Sequence, residues 1–389
     1  MKKTAYLFFK IMIVSLMALN LTGCWDNIEL DKIAIVMGIG IDKSPQIGDV
    51  DMTVQVANTK ASKSSSVDIG SKMTGDYFNL ENTGDTIFNI VKSFSKRSNR
   101  KLFFSQNQVI ILSRGIAEEG LERCIDFFYR DPKTRDLVWI LICDKTANEI
   151  LNIKSDFESI PSRSINELVK QQQYNSEVPM VDLHKFVSRL MSKTTAPIAP
   201  LIKVSMQDNK KIAYVSGTAV FRKDKMVGEM NKAETRGVLW VIGEEKKGII
   251  VITDPGRDNK VSLEVTRASS RIIPEINDGK LSMKIMIKEE GNIGEQTDSN
   301  DIANPEILEK LENRKAFVIK NEVMLAFKKA QSLDADVFGF GEATYQKYPK
   351  EWKNMKENWD EIFKKINIDV VVDAKLRRTG RIIKPITIE

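Results

Sequence analysis

The sequence predicts an α+β protein in which mixed and antiparallel β-sheets pack with helices. In the first half, strand-like and helix-like patterns alternate, which is typical of a mixed sheet with helical connections. In the second half, apolar residues alternate with polar ones at 261–265 and at 281–287, and Asn277-Asp278-Gly279 lies between the two runs. The second half therefore predicts an antiparallel pair with one buried face.

The first elements follow from apolar spacing. Strands are predicted at 33–41 and 51–57, joined by a turn that contains proline and glycine. Apolar residues at helical spacing predict a helix from Ile87 to Phe94, followed by an extended segment at 100–112. A second helix is predicted to begin at Gly115, and Asp-Pro should end it before the buried strand that the next apolar run indicates.

Prolines shape the middle of the chain. Residues 155–199 have helical spacing interrupted by three prolines, and prolines cluster with polar residues at 197–200. The run 213–221 and the residues from Met226 onward predict a hairpin. Asn304-Pro305 predicts the start of a long helix, because Asn caps helices well and Pro suits their first position. A shorter helical stripe and a closing alternating strand complete the chain.

The length predicts two or three domains. The chain has 389 residues, more than one hydrophobic core usually organises. We expect a signal peptide at 1–23, an N-terminal α/β region at 24–200 and a C-terminal α+β domain at 201–389. The N-terminal region divides into two subdomains near residue 155 in one interpretation.

Cys24 is the most informative single residue. It closes Leu21-Thr22-Gly23-Cys24 after a short apolar stretch preceded by lysines. The pattern resembles the lipobox of bacterial lipoproteins, in which the cysteine carries an S-diacylglycerol and can also carry an N-acyl chain. The alternatives are an uncleaved anchor and a buried thiol behind a signal peptide. The apolar run 11–21 is shorter than the about 20 residues that span a bilayer, so we expect lipid attachment to hold the mature chain to the membrane.

Charge and cysteine content exclude other classes. The formal net charge of +6 falls to +3 once the leader, with three lysines and no acid, is removed. Acidic and basic residues are otherwise interspersed, so no nucleic-acid partner is predicted. Cys124 and Cys143 lie in apolar runs, and we expect buried free thiols rather than an isolated disulfide.

No catalytic, cofactor-binding or metal-binding residue is predicted, so the chain is not expected to be an enzyme. His184 is the one histidine, and neither a zinc site nor a Ser-His-Asp relay can be assembled around it. The glycine pairs Gly38/Gly40 and Gly339/Gly341 lack the third glycine of a dinucleotide loop. We interpret them as positions of close backbone packing or bending.

Two clusters have open interpretations. Arg97, Arg100 and Lys101 precede Phe103-Phe104, and the segment 131–136 surrounds Pro132 with charged residues. Such clusters form either solvated turns or a partner-docking patch. The aromatic stripe that contains Trp352, Trp359 and Phe363 is interpreted as core, with a groove for a partner helix as the alternative.

Several segments resemble one known family. They lie at 24–30, 34–42, 127–135, 217–228 and 336–352. In this order they are similar to segments of the Ger(x)C family, the C-subunit lipoproteins of spore nutrient germinant receptors. The resemblance covers nearly all of the mature chain.

The resemblance implies an elongated α+β protein of three mixed-sheet domains. It also implies a location on the outer face of the spore inner membrane, where the lipidated cysteine, here Cys24, tethers the subunit. The implied partners are a membrane-embedded A subunit and a permease-like B subunit. The implied role is a non-enzymatic one in the germination response to nutrients.

Two other classes are weighed against this one. A lipid-anchored solute-binding protein of a transporter would have repeated βα units with parallel apolar strands, whereas 261–265 and 281–287 indicate antiparallel pairing. A cell-wall hydrolase would need a catalytic carboxylate pair, and nothing in the sequence singles one out.

Overall fold

Two β-sheets and the helices packed on them make up the part of the chain that the structure describes. This computed structural model describes residues 2–19, 29–58, 75–253, 260–297 and 304–378. The strands are β1 (Ile33–Lys43), β2 (Val50–Ala57), β3 (Tyr77–Gly84), β4 (Lys101–Phe103), β5 (Val109–Ser113), β6 (Trp139–Cys143), β7 (Ile198–Gln207), β8 (Lys210–Arg222), β9 (Lys225–Met230), β10 (Ile249–Thr253), β11 (Lys260–Asn277), β12 (Lys280–Gln296) and β13 (Asn367–Arg378).

The helices lie between groups of these strands along the chain. They are α1 (Lys2–Leu19), α2 (Ile87–Phe94), α3 (Arg114–Glu119), α4 (Glu122–Arg130), α5 (Ala147–Leu151), α6 (Pro161–Lys170), α7 (Gln172–Asn175), α8 (Leu183–Met191), α9 (Lys232–Ile242), α10 (Pro305–Ser332), α11 (Phe340–Lys347), α12 (Pro349–Met355) and α13 (Trp359–Phe363). None of the helices in the described ranges has both the length and the apolar composition needed to cross a bilayer.

The larger sheet has nine strands among the described residues. Its order is β3-β2-β1-β5-β6-β7-β8-β9, and β4 pairs with the beginning of β1. The central neighbours β1, β5, β6 and β7 are parallel, and the outer pairs are antiparallel. Every residue of β5 is buried, as expected for a parallel strand covered by helices on both faces.

The smaller sheet has the order β10-β11-β12-β13. The predicted antiparallel pair is confirmed, because β11 and β12 form a long hairpin that closes at Asn277↔Lys280. Asp278 and Gly279 both have positive φ, at 50° and 75°, which is the backbone of a type I′ turn. The closing strand β13 runs parallel to β12. The predicted α+β class, with mixed sheets packed against helices, is confirmed.

The long helix α10 begins as the sequence predicts. The Asn304 side chain accepts a hydrogen bond of 2.9 Å from the Glu306 amide, and Pro305 occupies the first turn. The helix packs against α9 and β13. At the crossing with α9, a Cβ on Gly237 would lie 2.1 Å from the Glu322 carbonyl oxygen. Only a glycine therefore allows the two helices to approach this closely.

Several local predictions need correction. The helix expected to begin at Gly115 is two helices, because Gly120 between them has φ of 132°. Pro161 begins α6 instead of interrupting a helix. The aromatic stripe after Pro349 is divided between α12, a 3-10 turn and α13. The strand β7 spans residue 200 and joins β6 to β8 within one sheet, and the domain limits near 155 and 200 stay predictions.

Candidate functional site

Cys24 lies outside the described residues, as do the residues directly around it. The described body begins at Glu29, and β1 begins at Ile33. Lipid attachment at Cys24 therefore stays a prediction. The structure shows where the chain after Cys24 enters the larger sheet, which is at Ile33 on β1.

His184, the one histidine of the chain, is the first candidate for a catalytic or metal-binding role. His184 is exposed on α8. Within the described residues, no three side chains of His, Cys, Asp or Glu are grouped so that they could hold a metal ion.

The first glycine pair is a packing device. A Cβ on Gly38 would lie 2.7 Å from the Ser162 Cβ, and one on Gly40 would lie 2.9 Å from the Ala147 Cβ. These two glycines let α5 and α6 rest directly on β1. The predicted close packing is confirmed at this pair.

The second glycine pair surrounds a buried carboxylate. Asp336 Oδ1 accepts hydrogen bonds from the amides of Phe338, Gly339 and Phe340, and its Oδ2 accepts one from Gly341 at 2.9 Å. Gly339 has φ of 79°, so it bends the chain around the carboxylate. The Asp336 carboxylate thus uses the backbone amides that a dinucleotide phosphate would otherwise need as hydrogen-bond donors. The predicted bend is confirmed.

The two cysteines of the body and the aromatic stripe belong to the core. Cys124 and Cys143 are buried free thiols, as predicted. Burial raises the pKa of Cys124 to about 11, so the reactive thiolate is scarce at neutral pH. Trp352 and Trp359 are buried with ring centroids 5.1 Å apart. The core interpretation of the stripe is confirmed.

One open groove brings together both charged clusters noted in the sequence. It has a volume of about 740 Å³ and lies between α2, β4 and the end of α4. We call it the basic groove. Its principal lining side chains are Phe88, Phe104, Phe127, Lys92, Arg100, Lys101, Arg130, Asp131 and Lys133.

The floor of the basic groove is aromatic. The rings of Phe104 and Phe127 meet edge to face with centroids 6.2 Å apart, and Phe88 lies 6.1 Å from Phe127. Phe104 is buried, whereas Phe88 is 59% exposed. Phe127 is half-buried, so the three rings give the groove an apolar surface that is in part exposed to water.

The rim of the basic groove is cationic. Residues 92–101 contain five basic residues and no acidic residue. The Lys92 ammonium lies 5.3 Å from the centroid of the Phe88 ring, and Arg130 pairs with Asp126 at 2.7 Å. Lys101 and Lys133 are exposed, and no carboxylate of the described chain lies within ion-pair distance of either. Their charges are therefore available to an anionic ligand.

Sequence reasoning found part of this groove and missed part. Arg100, Lys101 and Lys133 belong to the clusters for which a docking patch was one interpretation. The contributions of Phe88 and Lys92 were missed, although Phe88 interrupts the polar face of an otherwise amphipathic α2. An apolar residue on that face was the available signal.

A second group of charges is buried between α9 and α10. The Trp240 indole donates a 2.9 Å hydrogen bond to Glu322, and Arg236 lies 3.5 Å from the same carboxylate. Glu245 is fully buried nearby. Burial, as the main cause, raises the pKa of Glu245 to about 8, although the positive charge of Arg236 lowers it. This carboxyl group is therefore largely protonated at neutral pH.

The protonation of Glu245 predicts a pH dependence of stability. Because the folded-state pKa exceeds the unfolded value near 4.5, the folded state binds the proton more tightly between these pH values. The free energy of unfolding should therefore fall as pH rises from about 4.5 to about 8, by at most about 1.4 kcal/mol per pH unit.

In Glu245→Gln we expect this part of the pH dependence to disappear and stability at pH 8 to exceed that of the parent chain. Urea unfolding at several pH values measures it. Glu244→Gln is the matched control, because Glu244 is partly exposed and paired with Lys185. Parallel pH profiles for Glu245→Gln and the parent would contradict the prediction.

Comparison with known proteins assigns the family. The family model described as Spore germination protein N-terminal domain matches residues 26–204, and the one described as Spore germination B3/GerAC like, C-terminal, matches residues 216–380. Spore germination protein YndF of Bacillus subtilis (strain 168) is 26% identical over 95% of this chain and 96% of its own length. Spore germination protein KC of the same organism is 27% identical over 92% of this chain and 93% of its own length.

A solved structure shares the fold. The crystal structure of the GerBC protein matches with a TM-score of 0.57 and 18% sequence identity, covering 90% of this chain and 99% of that one. The two matched models follow each other in order, and together they cover nearly the whole chain after residue 25. The chain therefore belongs to the Ger(x)C family of spore germination proteins.

Proposed function

We propose that this chain is the lipid-anchored, non-enzymatic C subunit of a spore nutrient germinant receptor. The observation that carries the proposal is the match of both family models, in order, to the chain that follows Cys24. Two relatives aligned over more than nine-tenths of their length are named as spore germination proteins. The subunit takes part in the germination response to nutrients, and it does so by binding partners instead of by chemical catalysis.

The proposed location is the outer face of the spore inner membrane. An S-diacylglycerol on Cys24, with an N-acyl chain after cleavage of the leader, would hold the chain there. Two or more acyl chains anchor a protein stably, whereas one chain gives marginal binding. The partners in this proposal are the membrane-embedded A and B subunits of the same receptor.

Crosslinking in dormant spores tests the assembly. We expect an amine-reactive crosslinker to join this chain to a co-encoded multispan membrane protein, identified by mass spectrometry. The control is a spore lacking that multispan protein, in which the crosslinked product should be missing. Capture of an ABC permease alone would instead indicate the solute-binding class and would overturn the proposal.

A further inference from the structure

We propose that the basic groove binds the anionic headgroups of the bilayer to which the chain is anchored. The inference rests on the proposed function for the membrane setting and goes beyond it by assigning a second, non-covalent contact with the lipid surface. Under this assignment, Lys92, Lys101 and Lys133 contact lipid phosphates, and the exposed ring of Phe88 enters the interfacial region. The groove would thereby orient the first sheet on the membrane.

The position of the groove relative to the anchor supports the assignment. Ile33, where β1 begins, pairs with Lys101 on the parallel strand β4, so their Cα atoms are about 5 Å apart. Ile33 is nine positions after Cys24, and an extended chain over nine positions spans at most about 32 Å. A lipid on Cys24 therefore keeps the basic groove within reach of the bilayer surface.

The charge of the groove selects an anionic ligand. Basic residues line it from three elements, α2, β4 and the end of α4, and Asp131 is the acidic residue among its lining side chains. The neighbouring hollow, which shares Phe88 and Phe127, is lined instead by acids that include Glu119, Glu122 and Asp126. The lining is therefore net positive on one side of the aromatic pair and, although it includes Arg123, net negative on the other. An anionic membrane would therefore attract this face of the protein by the groove side and repel it on the side of the hollow.

The shape of the groove favours headgroups over an inserted helix or a soluble ion. Its aromatic floor is apolar, and its cations stand at the rim, an arrangement that matches the boundary between acyl chains and phosphates. Phe88 is 59% exposed, and the Lys92 ammonium lies 5.3 Å from the centroid of its ring. Exposed aromatic residues next to lysines are typical of surfaces that lie in a membrane interface.

Vesicle sedimentation tests the assignment without the covalent anchor. The probe is the whole mature chain from residue 24 with Cys24→Ser, mixed with vesicles of phosphatidylcholine alone or of equal parts phosphatidylcholine and phosphatidylglycerol. We expect binding to the anionic vesicles alone, and weaker binding as salt rises. The double variant Lys101→Glu/Lys133→Glu should bind at least about 30-fold more weakly, because each basic residue at an anionic surface contributes about a fivefold change in affinity.

The matched control carries the same charge change elsewhere. Lys350→Glu/Lys353→Glu alters two exposed lysines of α12, and this variant should retain the parent's affinity. Circular dichroism confirms that both variants are folded. Equal binding to the two vesicle types, or equal losses in both double variants, would overturn the assignment.

A protein partner is the remaining outcome. If the groove variant binds vesicles normally but loses its crosslink to the multispan protein, the groove is a protein-docking site and the lipid assignment is wrong. Failure with vesicles leaves the receptor proposal standing, since the crosslinking experiment decides that separately. Binding of the Cys24→Ser chain to anionic vesicles does not depend on a lipid at Cys24. The groove proposal and the receptor proposal can therefore fail separately.

Discussion

Replacing Cys24 by alanine is expected to release nearly all of the protein from spore membranes and to weaken nutrient-triggered germination. The physical reason is that the leader's apolar run at 11–21 is shorter than the about 20 residues that span a bilayer. Acyl chains on Cys24 would then supply most of the attachment, at about 0.8 kcal/mol per buried CH₂. Fractionation of spores followed by immunoblotting measures the membrane-bound share.

Cys124→Ala is the matched control for this variant. Cys124 is a buried free thiol on α4, so its replacement changes the core slightly and leaves the anchor intact. It should remain in the membrane fraction. Mass spectrometry of the native chain provides the direct test, because the mature N-terminal peptide should begin at Cys24 and carry a diacylglycerol. An unmodified thiol there, or an intact leader on the mature chain, would contradict lipid attachment.

The second large effect is expected from Gly237→Ala, which should destabilise the folded chain by about 2 to 3 kcal/mol, the upper part of the usual cost of overpacking a core. Intrinsic helix propensity alone predicts the opposite sign, a gain of about 1 kcal/mol in the interior of α9. Here the added Cβ would lie 2.1 Å from the Glu322 carbonyl oxygen and 2.6 Å from the Ala326 Cβ. Since one of these atoms is backbone, relief requires α9 and α10 to separate.

Urea unfolding of the mature chain measures the loss for Gly237→Ala. The control is Gly115→Ala in α3, where the nearest atom to an added Cβ, the Lys43 Cβ, is 3.4 Å away in ordinary contact. That variant should be neutral or slightly more stable. A Gly237→Ala chain as stable as the parent would show that the two helices do not approach as closely as the structure has them.

The charged clusters of the basic groove are visible in the sequence, but the groove itself is formed by tertiary contacts. Sequence alone indicates that Arg100 and Lys101 stand beside an apolar segment, and that charged residues surround Pro132. It left open both a solvated turn, the usual interpretation, and a docking patch as the alternative. The choice depends on which surface meets these segments, and α2 supplies that surface from a separate part of the chain. Contacts between segments distant in sequence carry no periodic signal, so the groove emerges only in three dimensions.

The burial of Glu245 likewise could not be predicted from the sequence. Glu245 lies in a short charged segment, after Glu244 and before Lys246 and Lys247, and nothing in that segment marks it as buried. Folding buries it near Arg236 of α9 and Glu322 of α10, and this burial raises its pKa. Desolvation is a property of the packed environment, so composition could not indicate it.

The amino-acid sequence by itself determined the α+β class, the long β11–β12 hairpin, the capped start of α10 and the motifs by which the family is recognised. These depend on neighbouring residues: alternation along a strand, turn chemistry at Asp278-Gly279, and an Asn-Pro helix start. Only the tertiary structure decided that β1, β5, β6 and β7 form one parallel core, that β13 lies beside β12, and that the basic groove opens next to the start of β1. These features require long-range strand pairing and helix docking, whose free energy comes from surfaces that meet only after the chain has folded.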